Sequence, residues 1–147
     1  MYHSLIFQYG NMKFNTWDNW HLIPVSRPTI EQPTPNYTFV DIPGADGSVD
    51  ITDYLIGRPT YSDRQGSFEF YVANDYGNAG WEARRASIAK ELNGRKMKLY
   101  FEDDPMHYYE GRFFFKKWTP DASHSKVTIE YRVKPYRYTS NGKEDGL

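Results

Sequence analysis

The chain has 147 residues, a size typical of one domain. Its formal net charge of -1 gives no basic field for a phosphate backbone, and the absence of cysteine excludes disulfides, thiolate zinc sites and a cysteine nucleophile. Aromatic residues make up 18% of the sequence, which favours strands and contact surfaces over an aliphatic core.

The first 25 residues read as short strands separated by turns. An opening strand in residues 1–9 is followed by a turn at Gly10 and by the alternating segment 12–16. Trp17 and Trp20 flank the next polar turn, where they either pin a loop to the core or form an exposed platform for a sugar. The segment 21–25 contains a proline and predicts an edge strand.

The segment from residue 27 to residue 42 predicts a hairpin or projecting β-arm. Three prolines within residues 27–35 prevent regular strand pairing, so this segment is expected to be extended and to lie at an edge or protrude. The chain then turns back into the segment 36–42. Pro43, Gly44 and Gly47 require a further turn, after which apolar and polar residues alternate up to Thr52.

The second half of the chain predicts a helix followed by longer strands. A strand at 67–72 precedes a helix at about 81–93, for which Gly94 provides a left-handed cap. Strands are then expected at 96–101, 107–118 and 126–133, with a bulge at Gly111. The predicted fold class is therefore β-rich α+β, an antiparallel β-sandwich-like domain with one α-helix and the projecting arm.

No residue pattern indicates catalysis or metal binding. The four histidines lack metal-ligand spacing, and neither a nucleophile elbow nor a phosphate-binding loop occurs. The acidic residues 102–104 and 110 flank a predicted hairpin turn, where solubility explains them better than a glycosidase pair does. We therefore expect no enzyme activity and no cofactor. The sequence also lacks an apolar run of the ~20 residues that a membrane helix needs and the pattern of a signal peptide.

An ordered set of motifs resembles one protein family. The set begins with Ile42-Pro43-Gly44-Ala45-Asp46-Gly47-Ser48 and Val49-Asp50-Ile51-Thr52, and continues with Gly57, Tyr61-x-x-Arg64, Phe68-x-Phe70, Trp81, Leu92-Asn93-Gly94-Arg95-Lys96, Asp103-Asp104-Pro105, Tyr108, Tyr109, Gly111, Arg112 and Val133-Lys134-Pro135-Tyr136. In this order, over roughly residues 10–138, the chain resembles the N-terminal ring domain of the distal tail proteins of long, non-contractile-tailed (siphovirus) bacteriophages.

The resemblance implies a structural role. It implies a single ring-forming tail domain at 1–138, followed by a flexible C-terminal tail at 139–147. The expected function is a hexameric ring that joins the tail tube to the baseplate or tip hub and lets DNA pass. The expected partners are further copies of the chain, the tail tube protein and a tail-tip hub or fibre protein, with no membrane and no sequence-specific nucleic acid. The expected location is the virion tail, assembled in the bacterial host cytoplasm.

The resemblance also places the subunit interface on the arm, because the comparable element of the family reaches a neighbouring subunit. The candidate interface residues are Pro28, Ile30, Pro33, Pro35, Tyr37 and Phe39. Two alternatives stay open. The arm could be a plain surface loop, and the chain could be a monomeric carbohydrate-binding β-sandwich module that uses Trp17, Trp20, Tyr108 or Tyr109.

Overall fold

The computed structural model describes residues 4–52, 54, 57–73, 81–120 and 125–147, with only the backbone of Trp81. Its elements, in chain order, are strands β1 (Leu5–Tyr9), β2 (Met12–Asn15), β3 (Leu22–Pro24), β4 (Pro35–Asn36), β5 (Phe39–Asp41), β6 (Ser48–Asp50), β7 (Thr60–Tyr61) and β8 (Arg64–Val72), helix α1 (Trp81–Glu91), and strands β9 (Asn93–Phe101), β10 (Asp104–Thr119), β11 (Lys126–Val133) and β12 (Tyr138–Thr139). This content confirms the β-rich α+β class.

One large antiparallel sheet forms the body of the molecule. Its strands follow the order β2-β1-β9-β10-β11-β8-β3, and β12 pairs with β10 outside this path. The sheet curls into a half-barrel. The pairs β4-β7 and β5-β6 form two separate small sheets, which together build the projecting arm and its base. A β-sandwich requires two sheets packed face to face, and this part of the predicted fold class stays a prediction.

The hydrophobic core lies on the inner face of the curled sheet. Alternate residues of β8 and β11 point into it, as their period of two predicts. Helix α1 contributes Ile88, and Leu92 follows it directly, while Trp20 stacks on Phe14 with ring centroids 6.0 Å apart. The other fully or nearly fully buried members of this core are Leu5, Phe7, Leu22, Phe68, Phe70, Val72, Met97, Leu99, Phe113, Val127, Ile129, Tyr131 and Val133.

Several predicted elements are confirmed and two are corrected. Strand β11 has the predicted bounds, and β3 lies at the edge of the sheet as Pro24 requires. The helix ends at Glu91 instead of residue 93, because strand β9 already begins at Asn93. Gly94 has the predicted left-handed conformation, with φ 88°.

The predicted bulge at Gly111 is wrong. Gly111 pairs regularly with Met97 and Val133. The register of β10 shifts instead against β9, between Asp104 and Tyr109 and between Arg112 and Phe114, and against β11, between Phe115 and Lys117. A Cβ at Gly111 would come within 2.2 Å of the carbonyl oxygen of Arg132. The glycine is therefore present because the two strands approach too closely for any side chain.

Candidate functional site

The projecting arm, whose described residues are 37–52 and 54, is a β-hairpin that extends from the sheet body. Phe39 pairs with Asp50, Val40 with Val49 and Asp41 with Ser48. The tip turns at Gly44 and Gly47, which have φ angles of 80° and 72° as predicted for these glycines.

Local hydrogen bonds fix the shape of the arm. The backbone N–H of Ile51 donates to the carbonyl of Thr38 at 2.9 Å, and the N–H of Thr38 donates to Oγ1 of Thr52 at 2.9 Å. The side chain and the backbone of Thr52 both donate to Asp50, and these bonds lower the pKa of that carboxyl group. Asp41 accepts a hydrogen bond from Ser48.

The arm exposes an unusual amount of apolar surface. Tyr54 is 82% exposed, Tyr37 65% and Phe39 57%, and four aliphatic residues are also exposed. These aliphatic residues are Val40, Ile42, Val49 and Ile51. Isolated apolar residues on a surface are ordinary, but a group of seven on one thin hairpin indicates a surface that contacts another molecule.

The two faces of the arm differ in chemistry. Val40 and Val49 lie opposite each other and form an aliphatic face. The other face carries Phe39 and Asp50, paired across the hairpin, together with Asp41. The arm therefore has one aliphatic face and one acidic face that also contains an aromatic ring.

The base of the arm is tied to the body on both sides. Pro35 and Asn36 of β4 pair with Tyr61 and Thr60 of β7. The ring of Tyr61 meets that of Tyr136 edge to face, with centroids 6.1 Å apart. These contacts fix where the arm leaves the body.

Arg64 holds the entry and exit of the arm together from inside the body. Its side chain is only 2% exposed, and its Nε donates to the carbonyl oxygen of Pro135 at 2.9 Å. Its Nη1 donates to the carbonyl of Glu31 at 3.4 Å, and the guanidinium lies 5.2 Å from the centre of the Tyr109 ring. Burial lowers the pKa of Arg64 from its ordinary value. Arg64 thus joins the segment before the arm, the strand after it and the C-terminal segment.

The six interface residues predicted from the sequence fall into two groups. Tyr37 and Phe39 project on the arm and are exposed. The other four lie along the body: Ile30 packs against the core, Pro33 is buried, and Pro28 and Pro35 are half-buried. The predicted hairpin of 27–35 with 36–42 is therefore wrong: residues 39–41 pair with 48–50 instead, and residues 35–36 pair with 60–61. The prolines lead into the arm and are not part of it.

Five exposed apolar residues of the arm were not among the predicted interface residues. They are Val40, Ile42, Val49, Ile51 and Tyr54. Their alternation with polar residues is also the pattern of a strand with one face in the core, so the sequence pattern does not separate a buried face from one kept for a partner. The turn residues at 43–47, which lie far from any long strand, were the sequence feature that could have indicated a projecting hairpin.

The aromatic residues considered for sugar stacking do not form an exposed platform. Trp20 and Tyr108 are 3% and 5% exposed, Tyr109 packs against the core, and half-buried Trp17 meets His21 edge to face. The packing interpretation of the two tryptophans is the one that the structure supports.

The acidic residues near the β9–β10 turn have structural partners. Glu102 accepts the N–H of Ser4 at 3.0 Å, and Asp103 pairs with Arg27. Glu110 accepts from Lys96 at 3.1 Å and from Lys134 at 3.0 Å. Partial burial acts to raise the pKa of Glu110, but the hydrogen bonds from Lys134 and Lys96 outweigh it and the pKa is lowered.

The C-terminal segment is attached to the body through His107. The N–H of Thr139 bonds to the carbonyl of Lys143, and Tyr138 stacks on Tyr108 with centroids 5.6 Å apart. His107 lies between two carboxylates, with Nδ1 3.1 Å from Asp104 and Nε2 2.6 Å from Asp145. The domain end at 138 and the flexibility of 139–147 stay predictions, although these contacts bring the segment onto β10.

No helix in the described part of the chain is long and apolar enough to cross a bilayer. No protein-family model and no curated protein matches the sequence. Among solved structures, the chain is similar to the crystal structure of the SPP1 Dit protein (gp 19.1), described as a paradigm of the hub adsorption apparatus in phages that infect Gram-positive bacteria. The TM-score is 0.65 at 16% sequence identity.

This similarity covers 92% of the present chain and 52% of the Dit chain. The chain therefore spans about half the length of the protein it matches. At this identity the likeness establishes a shared fold, which confirms the family resemblance of the motif order at the level of the fold.

Proposed function

We propose that the chain is a structural protein of a phage or prophage tail tip. In this proposal it forms a hexameric ring that joins the tail tube to the baseplate or tip hub and leaves a passage for DNA. The observation that carries the proposal is the arm: a hairpin that exposes seven large apolar residues and projects from a body with the Dit fold.

The exposed apolar side chains of the arm are unfavourable in water. Apolar surface is stabilised by removal from water, and a two-stranded hairpin without further packing is at best marginally stable. The arm has its own turns and hydrogen bonds but no body surface over its aliphatic face, where Val40 and Val49 stay exposed. Burial of that face in a neighbouring subunit supplies the missing packing.

A ring also fits the asymmetry of the molecule. An interface that closes into a ring is heterologous, so each subunit offers one surface and accepts a different one. The arm is the surface that each subunit offers, because it projects away from its own body. The body would be the surface that accepts the arm of a neighbour. Its base, held by Arg64 and by strand pairing, limits the entropy lost when it docks.

The remaining partners follow from the proposed position in the tail. One side of the ring would contact the last ring of the tail tube protein, and the other a tip hub or fibre protein. The chain would be located in the virion tail after assembly in the bacterial cytoplasm. Because about half of the Dit chain has no counterpart here, functions of that half are not proposed for this chain.

The experiment that tests this function is a measurement of mass in solution by light scattering over a range of concentrations. We expect the parent chain to reach the mass of about six protomers. The double variant Val40→Thr and Val49→Thr keeps the shape and strand preference of the arm but makes its aliphatic face polar. We expect this variant to be mainly monomeric.

The matched control is the double variant Met12→Thr and Met106→Thr, which alters two exposed apolar residues outside the arm. It should assemble as the parent does. A parent chain that stays monomeric at every concentration would contradict the ring, and equal loss of assembly in both double variants would contradict the role of the arm.

A further inference from the structure

The outer face of the sheet carries a row of three cations on adjacent strands. Arg112 of β10 lies directly opposite Lys96 of β9 on one side and opposite Arg132 of β11 on the other. Met97, Phe113 and the other inward neighbours of these strands point to the core, so the row lies on the opposite face, in solvent. Like charges at directly opposed positions destabilise a sheet.

The body neutralises this row only in part. Lys96 pairs with Glu110, and Arg132 pairs with Asp63 at 3.0 Å. Arg112 donates to the carbonyl of Gly94 at 2.9 Å, and no carboxylate among the described residues pairs with it. Lys98 and Lys134 lie beside the row, and Lys116 pairs with Glu130 next to Phe114. Six cations on this surface therefore stand against the three carboxylates of Glu110, Asp63 and Glu130.

The surface around the row can receive a side chain. A shallow cleft of about 240 Å³ is lined by the row together with Asp63, Gly111, Val133 and Lys134. The ring of Phe114, which is 38% exposed, lies one step along β10 on the same face as Arg112. The patch therefore combines excess positive charge with one exposed aromatic ring.

The arm has the complementary composition. Residues 37–54 contain four aspartates and no lysine, arginine or histidine. Asp41 and Asp50 lie on the same face as Phe39, and their described hydrogen bonds are to arm residues Ser48 and Thr52. The acidic face of the arm is thus free of cationic partners within the described chain.

The separation of the two aspartates on the arm can be compared with the separation of the cations in the row. Asp41 and Asp50 are diagonal neighbours on paired strands, a relation that places side chains roughly 7–8 Å apart. Cations on neighbouring strands of the row are about 4.8 Å apart at the backbone, and those two strands apart are about twice as far. The separation of the two carboxylates lies between these two values, so rotation of the long cationic side chains can bring two members of the row to them.

We infer that the acidic face of the arm from a second copy of this chain docks on the row Lys96, Arg112 and Arg132. The inference rests on the proposed ring and names the surface that accepts the arm. It leaves the aliphatic face of the arm for packing against the rest of the neighbour. A polyanion would satisfy the charge of the row, but it would not use Phe114 and would leave the acidic arm without a partner.

A charge-swap experiment on the full chain tests this inference. The patch variant is Arg112→Glu with Arg132→Glu, and the arm variant is Asp41→Arg with Asp50→Arg. Each alone should raise the dissociation constant of assembly, measured by light scattering, at least about tenfold. The chain that carries all four substitutions should assemble at least about threefold more tightly than either double variant, because the attraction is restored with reversed signs. Recovery should be incomplete, since the arm still lacks the hydrogen bonds that Asp41 and Asp50 accept from Ser48 and Thr52.

The control for the patch variant is Lys13→Glu with Lys143→Glu, which makes the same charge change on exposed lysines outside the row. It should assemble as the parent does, and circular dichroism should show the same fold for all variants. Failure of the four-substitution chain to recover beyond the patch variant would overturn the inference.

The outcomes separate this inference from the proposed function. If the parent assembles and the arm variant does not, but the patch variant assembles normally, the ring stands and the acceptor surface is wrong. If the patch variant assembles normally and loses only binding to a short DNA duplex, the row is a polyanion site, which also overturns the inference. If the parent never assembles, both proposals fail.

Discussion

At the scale of single residues, Arg64 has the greatest structural consequence. Among the described residues, the hydrogen-bond acceptors of this buried arginine are two backbone carbonyls and not a carboxylate, so these two bonds and the ring contact offset its desolvation. These acceptors belong to segments that are distant in sequence, at Glu31 and Pro135. Arg64 is therefore a positioning residue for the base of the arm.

We predict that Arg64→Ala lowers the free energy of unfolding by about 2 to 4 kcal/mol, because it removes a large buried side chain together with its hydrogen bonds to Pro135 and Glu31. Urea unfolding of the dilute monomer measures this. Arg27→Ala, which removes an exposed ion pair with Asp103, is the control and should cost about 1 kcal/mol or less. Equal effects of the two substitutions would show that Arg64 does not hold these segments together.

Individual residues differ in how far their role can be predicted from the sequence. Arg64 stood out as part of Tyr61-x-x-Arg64, but its role depends on two carbonyls that only the folded chain brings near it. Gly111 was predicted to be a special backbone position, and it is one, yet its reason is contact with Arg132 across β11 and not a bulge. Side-chain type indicates that a position is constrained, whereas the constraint itself comes from the neighbouring strand.

At the scale of elements, the C-terminal segment has a built-in dependence on pH. The hydrogen bond with Asp104, and then that with Asp145, raise the pKa of His107 above its ordinary value of 6.5, while nearby Arg137 acts in the opposite direction. A raised pKa in the folded state means that the stabilisation is fully present below pH 6.5 and is lost as the pH rises through the folded pKa.

We therefore predict that the amide of Thr139, which bonds to Lys143, is better protected from exchange at low pH than at high pH. Protection is the intrinsic exchange rate divided by the observed rate at the same pH. Hydrogen exchange followed by NMR measures this. His107→Asn should remove the pH dependence, and Asp145→Asn should reduce it. A His107 titration at or below pH 6.5 would contradict the assignment.

Elements with one face in the core were the easiest to predict. The period of two in β11 gave its bounds directly, because Val127, Ile129, Tyr131 and Val133 all point inward. The arm has the same alternation, but its apolar side chains point to solvent in the single chain. Periodicity shows which residues share a face, but it does not show which molecule covers that face.

At the scale of the whole molecule, the small net charge of -1 conceals two surfaces of opposite charge. The arm collects aspartates and apolar residues, while the outer sheet face collects lysines and arginines. Composition alone excluded a strongly basic protein, and it could not show that the charges separate onto two surfaces of one fold. This separation is what a closed, head-to-tail ring requires.

The most direct test of the ring is electron microscopy of the purified chain in negative stain. We predict closed rings with six-fold rotational symmetry in the class averages, with a central opening, and their loss in the variant Val40→Thr with Val49→Thr. Particles much smaller than such a ring, or open filaments without rotational symmetry, on grids prepared from a sample that light scattering shows to be assembled would contradict the account.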